Sequence, residues 1–115
     1  MDYATKYLGK VVTIKMDRPI GTEHPKHPGL IYPINYGFVP GNFSPDGEET
    51  DAYILGITEP LTEFTGVCIA VIHRTNDADD KLIVVPEGTS FTDEQIKELT
   101  YFQEKYYQSE IIRSW

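Results

Sequence analysis

Apolar and polar positions along the 115-residue chain group into five short strand-like runs and one late amphipathic stretch. Lys10 to Lys15 is rich in β-branched residues, the composition of a strand, and Asp17-Arg18-Pro19-Ile20-Gly21 ends it with turn chemistry. The prolines in His24-Pro25-Lys26-His27-Pro28-Gly29 remove amide donors and restrict their neighbours, which predicts irregular backbone. Leu30 to Val39 is aromatic and apolar with Pro33 inside it, an extended or bulged edge segment, and Pro40 to Glu49 reads as a Gly/Pro/Asp loop. Ala52 to Ile57, Gly66 to His73 and Lys81 to Val85 read as buried strands. Thr92 and Gln95 then form a capping box, with Phe91 and Ile96 placed for a hydrophobic staple and Asp93 and Glu94 suited to a helix start. Ile96, Leu99, Phe102 and Tyr106 recur at spacings of three or four and predict the helix face that packs over the sheet. Five strands and one helix predict a mainly β fold, a closed or nearly closed antiparallel barrel formed by residues 1–115 as one domain.

Composition narrows the function classes. No apolar run is long enough for a membrane span, and the Met1-Asp2-Tyr3-Ala4 start lacks the basic and apolar blocks of a signal peptide, so a cytoplasmic protein is expected. The net charge of −8 opposes binding to nucleic acid, which rests on neutralising phosphates. Cys68 is the single cysteine, which excludes an internal disulfide and a four-cysteine zinc site. Its place in the run Gly66 to Ile72 marks it as a buried small hydrophobe, not a nucleophile.

The acids are clustered. Asp46-Gly47-Glu48-Glu49-Thr50-Asp51 holds four carboxylates in six residues, and such a group repels itself unless it is solvated or shares a cation. Gly47 allows a tight turn that brings Asp46 towards Asp51. A solvated acidic turn is the plain alternative, and the spacing does not fit an EF-hand. Asp77-Ala78-Asp79-Asp80 precedes Lys81 at the start of another strand, so two acidic turns could face one another across a barrel mouth. Lys81 could meet a phosphoryl oxygen there, or form an ordinary surface ion pair. Tyr32 and Tyr36 read as core residues or as hydroxyl donors to a phosphate. His24, His27 and His73 read as structural or surface residues, with His24 to His27 a candidate polar lip.

Three segments in this order, Tyr-Pro-Ile-Asn-Tyr-Gly from Tyr32, Asp-Gly-Glu-Glu-Thr-Asp from Asp46 and Asp-Ala-Asp-Asp-Lys from Asp77, resemble the family I soluble inorganic pyrophosphatases. The resemblance is densest from Ile31 to Pro86. It implies an OB-like five-stranded β-barrel with a C-terminal helix, and hydrolysis of pyrophosphate to two phosphates with magnesium, or manganese, as cofactor. By position it implies that Asp46, Asp51 and Asp79 hold metal, with Asp17 and Asp77 as further acids. Glu48 falls where the family has the aspartate that takes a proton from the attacking water. Lys26, Tyr36, Lys81 and Tyr106 fall at phosphate-contacting positions, and Tyr32 at a tyrosine near the metal-binding carboxylates. The resemblance also implies a homo-oligomer, to which Tyr106, Tyr107 and Trp115 could contribute.

The chain departs from that pattern at several points. Glu48 replaces an aspartate, Thr50 an apolar residue, and Tyr107 stands where a lysine is expected. The stretch between Lys26 and Tyr32 is too short for the hairpin that carries a phosphate-clamping arginine in typical members; Arg18 and Arg74 are candidate substitutes. These departures keep open another phosphoanhydride as substrate, and a non-catalytic metal- or phosphate-binding module.

Overall fold

The computed structural model describes residues 2–75 and 79–114. The elements in chain order are α1 (Asp2–Thr5), β1 (Val11–Arg18), β2 (Asn35–Phe43), β3 (Glu49–Ile54), β4 (Glu63–Arg74), β5 (Asp80–Val85), α2 (Asp93–Glu104) and β6 (Ser109–Ile112). The strands run in the order β1-β2-β3-β5-β4-β6, and an added β1–β4 pairing closes the first five into a barrel. β4 makes closure possible by its length. Its first half pairs with β1 from Glu63 to Val67, and its second half pairs with β6 from Val71 to Arg74.

The expected barrel with a C-terminal helix is present, but it is not wholly antiparallel: β3 and β5 run parallel, from Asp51↔Lys81 to Ile54↔Val84. The reason is topological. β4 crosses over to close on β1, so β5 returns beside β3 in the same direction. The segment Pro40 to Phe43, expected as loop, continues β2, and β3 begins at Glu49 and ends at Ile54. β6 and α1 are additions to the predicted set.

Alternate residues of the strands face opposite sides of the barrel wall. One side gathers Val12, Ile14, Val39, Ala52, Ile54, Cys68, Val71, Leu82 and Val84 into an apolar core, joined by Ala4 of α1. Cys68 is fully buried there, and burial pushes its thiol up to about 11, consistent with a packing role. The other side carries Tyr36, Tyr53, Leu55, Ala70, Ile72, Ile83 and Val85, covered by Ile96 of α2 with Phe91 and Phe102.

The capping box of α2 forms as expected, with the Thr92 hydroxyl accepting from Gln95 N–H and the Gln95 side chain accepting from Thr92 N–H. Its inward face differs from expectation. Leu99 is 37% exposed and Tyr106 lies beyond the helix end, whereas Thr100, Gln103 and Glu104 are buried beside Ile96. Gln103 and Glu104 turn inward because polar partners await them on the sheet, described below.

Candidate active site

The site lies on the outer face of the barrel, beyond the end of α2, and not across a barrel mouth. Cross-strand partners share a face. Phe38 of β2 pairs with Asp51 of β3, and Asp51 with Lys81 of β5, so these side chains emerge beside Tyr36 and Tyr53. They open into a cleft of about 590 Å³ lined by Asp17, Arg18, His24, Lys26, His27, Tyr36, Glu48, Glu49, Asp51, Arg74, Asp79, Lys81, Tyr106 and Tyr107, among others.

At its floor, Lys81 Nζ donates to Asp51 Oδ2 at 2.5 Å and to Asp79 Oδ2 at 2.7 Å. The lysine side chain is almost wholly buried while both carboxylates remain partly open to the cleft. Burial raises the Asp79 carboxyl above its ordinary value against the opposing pull of Lys81, and the Asp51 charge adds to that rise. Burial, with Asp51 beside it, also holds the Tyr36 phenol protonated well above its usual range. Its hydroxyl is therefore a donor at any physiological pH.

A polar chain braces this floor from behind. Arg18 Nη1 donates to Tyr32 Oη at 2.7 Å, Tyr32 Oη to Gln103 Oε1, Gln103 Nε2 to Tyr53 Oη at 2.7 Å, and Tyr53 Oη to Glu104 Oε2 at 2.6 Å. Arg74 closes it with a forked pair to Glu104, Nε at 3.1 Å and Nη2 at 2.7 Å, and reaches Asp79 at 3.6 Å. Its guanidinium also stacks 3.6 Å from the Tyr107 ring centroid. Arg74, a candidate phosphate clamp in the sequence, is thus engaged with acids and an aromatic ring. Gln103 and Glu104 were not among the residues expected near the site.

The remaining expected residues divide. Lys26 is exposed at the cleft edge, and Tyr106 is about half exposed with its ring stacked on His27, centroids 5.0 Å apart. Asp17 and Glu48 line the cleft and are exposed. Asp46 does not line it. Its Oδ1 accepts from the Ser44 hydroxyl and from Glu48 N–H at 2.9 Å, contacts that hold its carboxyl below the usual range and fold the turn, in which Gly47 adopts φ +87°. Asp77 and Trp115 lie outside the described residues. His73 pairs with buried Asp80 at 2.8 Å, a structural role.

Among the described residues, no three carboxylate, imidazole or thiol groups converge at ligation distance. The chemistry of the donors still fits a hard divalent cation: Asp17, Glu48, Glu49, Asp51 and Asp79 offer oxygen only, around one cleft. The space between the Asp51 and Asp79 oxygens also accepts positive charge, since the Lys81 ammonium sits there. Among the described residues, no helix is long and apolar enough to cross a membrane.

Comparison with known proteins agrees with this architecture. The inorganic pyrophosphatase family profile matches residues 7–115. An inorganic pyrophosphatase of Aeropyrum pernix is 30% identical over 80 residues, 65% of this chain and 42% of that protein. Soluble inorganic pyrophosphatase 2 of Chlamydomonas reinhardtii is 28% identical over 120 residues, covering 89% of this chain and 62% of that protein. The chain therefore spans less than half the length of the Aeropyrum relative. Among solved structures, the inorganic pyrophosphatase of Helicobacter pylori superposes with a TM-score of 0.69 at 16% identity, over 90% of this chain and 84% of that one. That of Thermus thermophilus gives 0.62 at 19% identity, over 90% and 82%. At these identities the structural matches speak for the fold.

Proposed function

The chain belongs to the inorganic pyrophosphatase family, and from that membership we propose that it hydrolyses pyrophosphate to two phosphates with magnesium, or manganese, as cofactor. The observation that supports this most is the grouping of Asp51, Asp79, Lys81 and Tyr36 on one floor, where anionic and cationic groups meet within hydrogen-bond reach. A bound divalent ion supplies charge withdrawal from phosphoryl oxygens and makes water easier to deprotonate. Asp51 and Asp79, with Asp17 at the edge, are the cleft residues that would hold it.

The chain's own groups carry the rest of the mechanism. Glu48 is the proton acceptor for the attacking water, a role supported by its place in the cleft lining. Lys81 is a point charge for a phosphoryl oxygen, and the Tyr36 hydroxyl, kept protonated, is a neutral donor beside it. Lys26 and Tyr106 bound the cleft at its outer edge and complete the set of phosphate contacts. In this proposal the working protein is an oligomer of identical chains in the cytoplasm.

A second reading, a larger phosphoanhydride as substrate, is favoured by the wall in which His27 stacks on Tyr106 beyond the floor. Phosphate release measured with magnesium from pyrophosphate and, in parallel, from nucleoside diphosphates separates the two. Release from free pyrophosphate that stops on chelation bears out the first reading. Release only from the larger compounds moves the substrate to that class. No release from either, with magnesium or manganese, leaves a non-catalytic binding module.

A further inference from the structure

The cations of the cleft are not equivalent. Lys81 is held by two aspartates, and Arg74 by Glu104 and Asp79. Arg18 is different: it lines the cleft half-buried, and among the described residues no carboxylate pairs with it. Among the described residues its side chain makes one hydrogen bond, from Nη1 to the Tyr32 hydroxyl, which leaves most of the five guanidinium N–H donors uncommitted there. It lies over the rings of Tyr32 and Tyr36 at 5.7 and 5.6 Å.

Its direction is built into the backbone. Met16 pairs with Gly37 and Arg18 with Tyr36, so two steps on β1 match one on β2, a bulge at Asp17. Without the bulge, Arg18 would follow Val12, Ile14 and Met16 into the barrel interior. With it, Arg18 joins Tyr36 on the outer face. Gly37 makes the close approach possible, because a Cβ there would fall 2.0 Å from the Lys15 carbonyl oxygen. A half-buried arginine that no carboxylate among the described residues pairs with, aimed by a bulge into the cleft, is arranged to receive an anion.

We propose that Arg18 is a substrate-binding residue, its guanidinium fork gripping a phosphoryl group of the bound diphosphate from the β1 side, opposite the Asp51–Lys81–Asp79 floor. The proposal rests on the phosphoanhydride reading above. It is tested by calorimetric binding of methylenediphosphonate, a diphosphate that cannot be hydrolysed, with magnesium, alongside KM and kcat for pyrophosphate. Arg18→Gln is expected to weaken binding and raise KM by about 10–100-fold, as loss of charge-assisted hydrogen bonds does, with kcat and Tm changed much less. Arg18→Lys, which keeps the charge but not the fork, is expected to fall between; where Arg18→Gln yields no folded protein, several-fold weaker binding by Arg18→Lys carries the test. Binding by the folded variant within about twofold of the parent, when the parent binds and hydrolyses diphosphate, overturns the role of Arg18 alone. A fall in Tm with unchanged KM also overturns it, since Arg18 then only braces Tyr32. A parent that neither binds methylenediphosphonate nor releases phosphate overturns the diphosphate reading and this proposal with it.

Discussion

The two sides of the barrel wall are made by neighbouring residues of the same strands, yet they follow different rules. On β3, Ile54 points into the interior and Tyr53 outward; on β5, Leu82 points inward and Lys81 outward. The interior is mainly apolar and asks chiefly for volume and shape. The outer face is a mixed surface, in which tyrosines, carboxylates and arginines are linked by hydrogen bonds along a chain from Arg18 to Arg74. The interior closes the barrel, and the outer face turns a closed barrel into a site. The difference teaches that damage to the first should cost stability, and damage to the second should cost stability or function according to whether the residue braces the floor or forms it.

Leu82→Ala breaks the interior side. It should lower stability by about 2–5 kcal/mol, the range for a buried leucine truncated to alanine, while turnover per folded molecule is kept. Urea unfolding together with activity below the transition checks both halves. A loss of turnover in the folded fraction would mean that the two faces are coupled more tightly than the wall implies.

Glu104→Gln breaks the bracing layer. Arg74 would keep its contact with Asp79 and its stacking on Tyr107 but lose its charged partner on α2. Breaking a buried pair while leaving one charge in place should lower stability by about 3 kcal/mol, read as a fall in Tm. A change below about 1 kcal/mol would show that solvent screens the pair as at a surface. Thr92→Ala is the smallest perturbation. It removes the hydroxyl that caps α2 and should cost about 1 kcal/mol, with KM for pyrophosphate unmoved because the cap is distant from the cleft lining.

The contrast also explains what could be read from the sequence. The strands are visible because β-branched and apolar runs mark the barrel wall, and the start of α2 is visible because Thr92, Gln95 and the acids between them form a local code. The periodicity counts Leu99 and passes over Gln103 and Glu104, so it does not report the inward face of α2. Their partners, Tyr32 and Tyr53, stand 71 and 51 residues away, and no local pattern reports such pairing. β6 was missed for a related reason: Ser109–Ile112 is a short strand whose place is fixed by the second half of β4. The bulge that turns Arg18 outward was also invisible, since it arises where β1 meets Gly37 of a distant strand. The acidic segments and Lys81 stood out by their spacing, and the structure brings Asp51, Asp79 and Lys81 together while leaving Asp46 in its own turn.

In the proposed function, the floor on the outer face works on a diphosphate. The most direct test is phosphate release from pyrophosphate with magnesium by the parent protein and by Asp51→Asn, a change that keeps shape and removes one charge beside Lys81. The account predicts magnesium-dependent release by the parent and a loss of at least about 100-fold in the variant, the scale on which catalysis depends on preorganised charge, with Tm little changed. Undiminished release by Asp51→Asn would contradict it.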